Sequence, residues 1–457
     1  MTEKQPFRVI VVGAGLLGLT AAHILAKTDM DFVVLEQHDD LLPEIGSLLS
    51  LMPPTFRVLD QLGVLEAIEP ILTRVAGGVF MSAVDAKVYR EEDLGRLIET
   101  NHGHGVSVVH RPHYVKALYD SLPEEAKARI HVRKRVARID VADDDDDDGP
   151  AETGQPSPFA TTYRVLFGNL PALPDLAAGV NFEGAADGVS TQVMTGAARA
   201  WFAVYERLAA TTTTTPPTTT TSARRSWTED DKREILRRWG RLYVAPGYTV
   251  DDAYARRDGD VGLINLEEGL LDDMWSWKRI PHAGLGYNSG VADLVVLING
   301  LRKLLTRRQA ATTTTTTTTT TTGDLEMLFH AYQAQRMEDT PTIVAMSERR
   351  ARMCAWLGVR DWFMARFVVP LFPLGEYSVN HILGPIISRT PVLDWLDEKR
   401  LPARAVPYVH HPRTETREKL VYNAATAPPS GSRLPLLTGT LVVAALATVG
   451  LRVYRRI

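Results

Sequence analysis

An α/β fold is predicted by three features of this 457-residue chain. A strand-like run at 7–12 leads directly into Gly13, Gly15 and Gly18. Further on, β-rich stretches at 163–167 and 201–205 are followed by helical patterns at 228–239, 288–305 and 324–339. Close to the C-terminus, residues 434–451 carry no charge. Together these predict a Rossmann-like nucleotide-binding part with an inserted β-sheet substrate domain, a helical C-terminal part and a C-terminal transmembrane helix. The first part is α/β and the whole chain α+β.

The opening segment is the most specific. Phe7-Arg8-Val9-Ile10-Val11-Val12 reads as a buried strand, and an amphipathic helix continues through Ala21, Ala22, Ile24 and Leu25. A second strand, Phe32–Leu35, ends at Glu36. Each glycine has a separate task. Gly13 permits a tight turn, Gly15 lets a pyrophosphate approach the backbone, and Gly18 lets helix and strand pack closely. The helix start offers free N–H groups and a partial positive charge to phosphates. Glu36, 18 residues beyond Gly18, is placed to accept ribose hydroxyls. Strand, glycines, helix, second strand and acid in this order point to an adenine dinucleotide, against the blander reading of a Gly-rich turn.

Composition narrows the partners. Apolar residues make up 45% and charged residues 23%, ordinary for a globular protein. Net charge is −4, and Asp143–Asp148 alone supplies six negatives, so the remainder is close to neutral. No strongly basic face is indicated, and nucleic acid is not an expected partner. A single cysteine, Cys354, cannot form an intrachain disulfide. No metal site is expected. A Pro-rich approach precedes the 18 uncharged residues of 434–451, which would form a helix of about 27 Å, enough for a bilayer core. The expectation is a single-pass C-terminal anchor in the endoplasmic reticulum membrane with the catalytic part in the cytosol. The alternative is a buried terminal helix.

Three low-complexity runs, Asp143–Asp148, Thr211–Thr221 and Thr312–Thr322, cannot bury enough apolar surface to offset their ordering entropy and are expected as surface loops. The expected order is 1–142, nucleotide binding; 143–162, acidic and polar linker; 163–268, substrate-domain sheet with the loop 211–221; 269–311, second nucleotide-binding segment; 312–323, Thr-rich loop; 324–426, helical part; and 434–451, the span. Thr228 is the expected N-cap of the helix at 228–239, with acids in its first turn.

A second Gly-rich stretch, Pro281–Gly290, precedes a Val- and Leu-rich helix. With the first motif it becomes specific. The chain resembles the fungal FAD-dependent monooxygenases of the aromatic-ring-hydroxylase superfamily, in the branch that epoxidises prenyl chains in indole-diterpene and meroterpenoid biosynthesis. The resemblance runs from about residue 7 to 410 and rests on Gly13–Leu19, Leu35-Glu36, Pro43–Ser47, His110-Arg111-Pro112, Trp201–Glu206, Leu266–Gly269, Trp275-Ser276-Trp277 and Ala283–Asn288. It implies that Glu36 holds the adenosine ribose, Arg111 reaches the pyrophosphate or ribityl chain, and Ser50 sits in a loop beside the flavin. It further implies that Gly284, Gly286 and Tyr287 line the flavin's far end through their backbone, and that Tyr205 matches an active-site position. A surface cation at a helix start is the plain alternative for Arg111, and a buried strand tyrosine for Tyr205.

Two pieces of the family pattern are absent. A Gly-Asp segment is expected just before Ala283-Gly284-Leu285-Gly286, yet Ile280 runs directly into Pro281. A Gly-Ala-Asp-Gly strand end is expected upstream of Tyr163, where the Asp run stands instead; Ala186-Asp187-Gly188 looks similar, but its neighbours match the later sheet better. Losing either removes a ligand contact and a strand of the nucleotide fold, leaving sheet edges unpaired. The resemblance implies FAD as cofactor, NADPH as transient co-substrate, and oxygen transfer to a small hydrophobic, terpenoid-like substrate. The alternatives are another flavin oxidoreductase, such as a dehydrogenase or halogenase, and a membrane-anchored remnant without turnover.

Overall fold

A computed structural model describes residues 7–42, 48–137, 160–208, 227–270, 277–278, 286–312, 322–356, 358–368, 374–400 and 402–412. The chain opens as its spacing predicts. Strand β1 (Arg8–Val12), helix α1 (Leu16–Leu25) and strand β2 (Asp31–Leu35) form a parallel β-α-β unit, in register from Arg8 opposite Asp31 to Val12 opposite Leu35. The α1 face carrying Leu19, Ala22, Ile24 and Leu25 is almost fully buried in the core of this part, together with Phe32 and Val34 of β2.

Next come β3 (Leu48–Leu51), α2 (Pro53–Leu62), α3 (Leu65–Ile68), β4 (Thr73–Arg74), β5 (Gly77–Ser82), β6 (Val88–Glu92), α4 (Leu94–His102), β7 (Ser107–His110), α5 (Arg111–Asp120), α6 (Glu124–Lys127) and β8 (Ile130–His131). β8 adds parallel to β2, giving the order β1-β2-β8, while β3, β7 and β4 form a small antiparallel sheet. Among the described residues β1 pairs only with β2, so it stands at the edge. Its outward side chains Ile10 and Val12 are 60% and 64% exposed. Parallel strands are normally covered on both faces.

The inserted sheet is larger than the sequence suggests. β9 (Ala160–Pro171), β10 (Val180–Ala186), β11 (Val189–Thr195) and β12 (Arg199–Arg207) are followed by α7 (Glu229–Trp239), β13 (Tyr243–Ala245), β14 (Tyr248–Thr249), α8 (Val250–Ala255), β15 (Gly262–Leu270) and β16 (Trp277–Lys278). Eight strands line up as β16-β15-β9-β12-β11-β10-β5-β6, so two strands come from the stretch 1–142. The β10–β11 hairpin turns at Asp187-Gly188, where Gly188 has φ +72°; Ala186-Asp187-Gly188 is thus a turn of this sheet. Alternation assigns the faces. Phe182, Val193, Phe202 and Val204 meet α7, α8 and the β13–β14 hairpin. Tyr163, Val165, Tyr205 and Leu266 turn to the other side. Thr228 caps α7 with a reciprocal Thr228–Asp231 box, as its sequence predicts.

The remainder is α9 (Gly286–Thr312), α10 (Thr322–Met337), α11 (Thr340–Cys354), α12 (Val359–Phe363), a π-turn at Met364–Val368, α13 (Leu374–Ser378), a second π-turn at Val379–Leu383, and α14 (Gly384–Arg389). Helices dominate the described residues from 349 to 389, whereas the chain from Thr390 to Arg400, within the part 324–426 expected to be helical, is irregular. α9 packs against α1 and α2, closing the nucleotide part with segments far apart in sequence.

The expectation of a transmembrane helix and a membrane localisation is corrected here. No helix among the described residues is long and apolar enough to cross a membrane. α9 has the length, at 27 residues, but Asp293, Arg302, Lys303 and Arg307 interrupt it, and Val291, Val295 and Ile298 face a protein core. The span at 434–451 lies outside the described residues, as do Asp143–Asp148, Thr211–Thr221 and 313–321.

Candidate functional site

The site starts at the C-terminal end of β1. Gly13 has φ +97°, a conformation open to glycine and costly for other residues, and its N–H donates to the Leu35 carbonyl at 2.7 Å. This bond ties the turn to the end of β2. A Cβ on Gly18 would lie 1.9 Å from the Gly13 carbonyl oxygen, so that glycine is required by packing of helix on strand. A Cβ on Gly13 or Gly15 would meet no atom within 4 Å. The loop is therefore open on one side, above the start of α1, whose N-cap Gly15 has no side-chain cap. Open space, uncapped N–H groups and the helix dipole suit a pyrophosphate.

Glu36 follows β2 and closes this end. Its carboxylate accepts the Ala14 N–H at 2.8 Å and the His38 N–H at 2.9 Å. Partial burial pushes its pKa up, but the two amides more than offset this and hold the group below the usual carboxylate range. An ionised acceptor beside the glycine loop is what ribose hydroxyls require.

The second half is fastened by Asn288, whose role the sequence did not disclose. Its amide N–H donates to the Ser50 carbonyl at 2.9 Å, while its Oδ1 accepts from the Met52 N–H at 2.8 Å and the Thr55 hydroxyl at 2.7 Å. One side chain thus joins the first turn of α9 to the β3–α2 corner. Ser50 lies in β3 opposite Val108 of β7. Arg111, half-buried, is the first residue of α5 after His110. Tyr287 is buried, and its hydroxyl lies 2.8 Å from the Thr20 hydroxyl and 3.0 Å from that of Tyr114. Burial raises its pKa to about 12 despite these bonds. Its side chain is therefore committed to joining α9, α1 and α5, which leaves only its backbone for a ligand. Gly286 begins α9 and is exposed; Gly284 lies outside the described residues.

Tyr205 stands apart from this loop, in β12 on the sheet face toward α11, packed with Tyr163, Val165, Leu266, Ala351 and Ala355. Its hydroxyl donates to Gln192 Oε1 at 3.2 Å, and burial pushes its pKa up. Nearby, Glu183 receives Arg350 at 2.5 Å and the Cys354 thiol, a buried charged group that sequence spacing could not reveal. At the seam between sheet and nucleotide part, the Trp201 indole N–H points to His110 Nδ1 at 3.3 Å, and Arg199 lies 3.1 Å from His110 Nε2. Burial first, then Arg199, lowers the His110 pKa to about 4.

The profile of the FAD binding domain matches residues 7–151, the part that contains the glycine loop and Glu36. The chain is 25% identical over 444 residues to the FAD-dependent monooxygenase ausM of Aspergillus calidoustus, covering 86% of this chain and 89% of that protein. It is 26% identical over 418 residues to the FAD-dependent monooxygenase dpmaE of Metarhizium anisopliae, covering 81% and 84%. Over most of its length the chain is thus similar to FAD-dependent monooxygenases, and its first third carries the FAD binding domain. Its fold is shared with Klebsiella pneumoniae HpxO complexed with FAD and uric acid, at a TM-score of 0.62 and 18% identity over 84% of this chain and 98% of the other. FAD is the monooxygenase's cofactor, and the open glycine loop with ionised Glu36 fits its ADP half.

Proposed function

We propose that the monooxygenase uses NAD(P)H and O2 to hydroxylate or epoxidise a hydrophobic, terpenoid-like substrate of fungal secondary metabolism. In this reading Gly13, Gly15 and Gly18 hold the pyrophosphate and Glu36 the adenosine ribose. Ser50, Arg111, Gly284, Gly286 and the Tyr287 backbone surround the flavin, and Tyr205 belongs to the substrate face of the sheet. The division of the chain into 1–142, 163–268, 269–311 and 324–426 is part of the same proposal. Bound FAD, once reduced, supplies activation of O2 and delivery of one oxygen atom. The chain binds, orients and excludes water. Glu36 stays ionised to accept hydroxyls, and Asn288 keeps the α9 start against the β3–α2 corner. Tyr205, with its pKa raised by burial, keeps its proton and donates it in a hydrogen bond to Gln192 Oε1.

The observation that carries this reading is the joining of two segments more than 230 residues apart, through Asn288 and Ser50, beside a loop shaped for a dinucleotide. The test is incubation of FAD-loaded protein with NADPH, isotopically labelled O2 and a panel of prenylated compounds, read by mass spectrometry. One labelled oxygen atom per product is expected. Oxidised product without label would move the reading to a dehydrogenase.

A further inference from the structure

Helix α11 carries two stripes with opposite tasks. Ser347, Arg350, Ala351 and Cys354 recur at helical spacing on one side; Arg350 and Cys354 reach Glu183, and Ala351 packs beside Tyr205. That side is pinned to the sheet. On the other side Ala345, Glu348, Arg349, Arg352 and Met353 recur at the same spacing and wall a cavity of about 310 Å3, closed by Arg360, Asp361 and Met364 of α12 and the following π-turn. This is the lower end of the range typical of small-molecule sites, about 300–1,000 Å3.

The cavity has an amphiphilic lining. Met353, Met364 and Ala345 supply the apolar part of that lining. Three guanidinium groups outnumber the carboxylates of Glu348 and Asp361. Arg352 reaches Glu348 only at 3.7 Å and is 54% exposed, a weak pair. Arg349 and Arg360 are exposed and make no ion pair with a described residue. Forked donors left available around apolar side chains match a nucleotide phosphate beside its base. The same helix also reaches the cofactor end. Ile343 of α11 lines a smaller cavity shared with Asn288 and Met52, and six residues of helix, about 9 Å, separate Ile343 from Arg349.

The chain holds one G-x-G-x-x-G, and FAD takes it, so a second dinucleotide needs another place. We propose that the groove between α11 and α12 receives the phosphorylated adenosine end of NADPH, with Arg349 and Arg360 bonding its 2′-phosphate. This rests on the reading that a nicotinamide dinucleotide is the reductant. An exposed groove suits a partner that arrives, delivers hydride to the flavin and leaves.

The test titrates FAD-loaded protein with NADP+ and, separately, NAD+, neither of which turns over, with binding followed calorimetrically. Native protein is expected to prefer NADP+ by at least about 10-fold. Arg349→Ala/Arg360→Ala is expected to lose about 10- to 100-fold for NADP+ and little for NAD+, with FAD content and Tm unchanged. Arg349→Lys/Arg360→Lys is expected to recover part of the loss. Unchanged NADP+ affinity in the alanine variant, or no preference in the native protein, would overturn the assignment. Anaerobic flavin bleaching separates the two levels. If NADPH bleaches native and variant flavin with the same half-saturation, the groove is not the site and the reductant reading stands. If neither NADPH nor NADH bleaches native flavin, the reductant reading fails and the groove assignment fails with it.

Discussion

Gly15 and Gly18 are three residues apart, yet a methyl group at each has opposite consequences. At Gly15 it would meet no protein atom, whereas at Gly18 it would press on the Gly13 carbonyl at 1.9 Å. Gly15→Val is therefore expected to leave Tm nearly unchanged and abolish FAD binding, because the side chain occupies the pyrophosphate's place. Gly18→Ala is expected to lower Tm, since β1 and α1 must separate. Thermal unfolding together with quenching of flavin fluorescence on titration of the apoprotein distinguishes the two. Equal FAD affinity in native protein and Gly15→Val would remove the nucleotide assignment from this loop.

At the scale of single elements, α4 ends on a histidine whose ring makes no hydrogen bond among the described residues. His102 is buried, neither ring nitrogen has a hydrogen-bond partner among the described residues, and its ring lies 6.1 Å from that of Tyr408. Burial lowers its pKa from 6.5 to about 4. The unfolded chain binds this proton between pH 6.5 and 4 while the folded chain does not, so stability is lost as pH falls through that window. The loss is on the order of 3 kcal/mol once both states are protonated. His102→Phe is expected to flatten the pH dependence of denaturant midpoints across this window; an unchanged slope would count against His102 as its source. Strand β1 offers a second expectation. Ile10 and Val12 lie on a bare face at an open edge, where apolar side chains invite association with other chains. Ile10→Lys is expected to cost no more than about 0.5 kcal/mol and to reduce self-association in sedimentation measurements.

For the molecule as a whole, the junction between the sheet and the C-terminal helices depends on a charge inside the protein. Glu183 is almost fully buried on β10 and is compensated by Arg350, whose side chain remains a third exposed, and by the Cys354 thiol. Removing one partner of a buried pair strands the other, whereas replacing both with apolar groups can be neutral. Arg350→Met alone is expected to destabilise the fold by about 3 kcal/mol, and Glu183→Leu added to it to recover most of the loss. Denaturant unfolding of both variants measures this. Simple additivity of the two losses would show that the pair is not coupled.

What the sequence by itself determined is local: the β1–α1–β2 unit, its glycine turn, the acid at Glu36 and the capped start of α7. Each is set by neighbours within a few residues, through dihedral limits, side-chain periodicity and caps, so a linear reading reaches it. The family pattern added FAD and the second segment at Gly286 and Tyr287, but the side-chain direction of Tyr287 was decided by Thr20 and Tyr114, residues on two other helices. Tertiary structure likewise decided that β5 and β6 extend the inserted sheet, that Asn288 fastens α9 to the β3–α2 corner, and that Glu183 meets Arg350 and Cys354. These contacts join positions 100 or more apart, and no spacing rule records which distant partner satisfies a buried donor or acceptor. It also decided the fate of apolar length. In α9 that length serves a protein core, because α1 and α2 offer it a surface to cover.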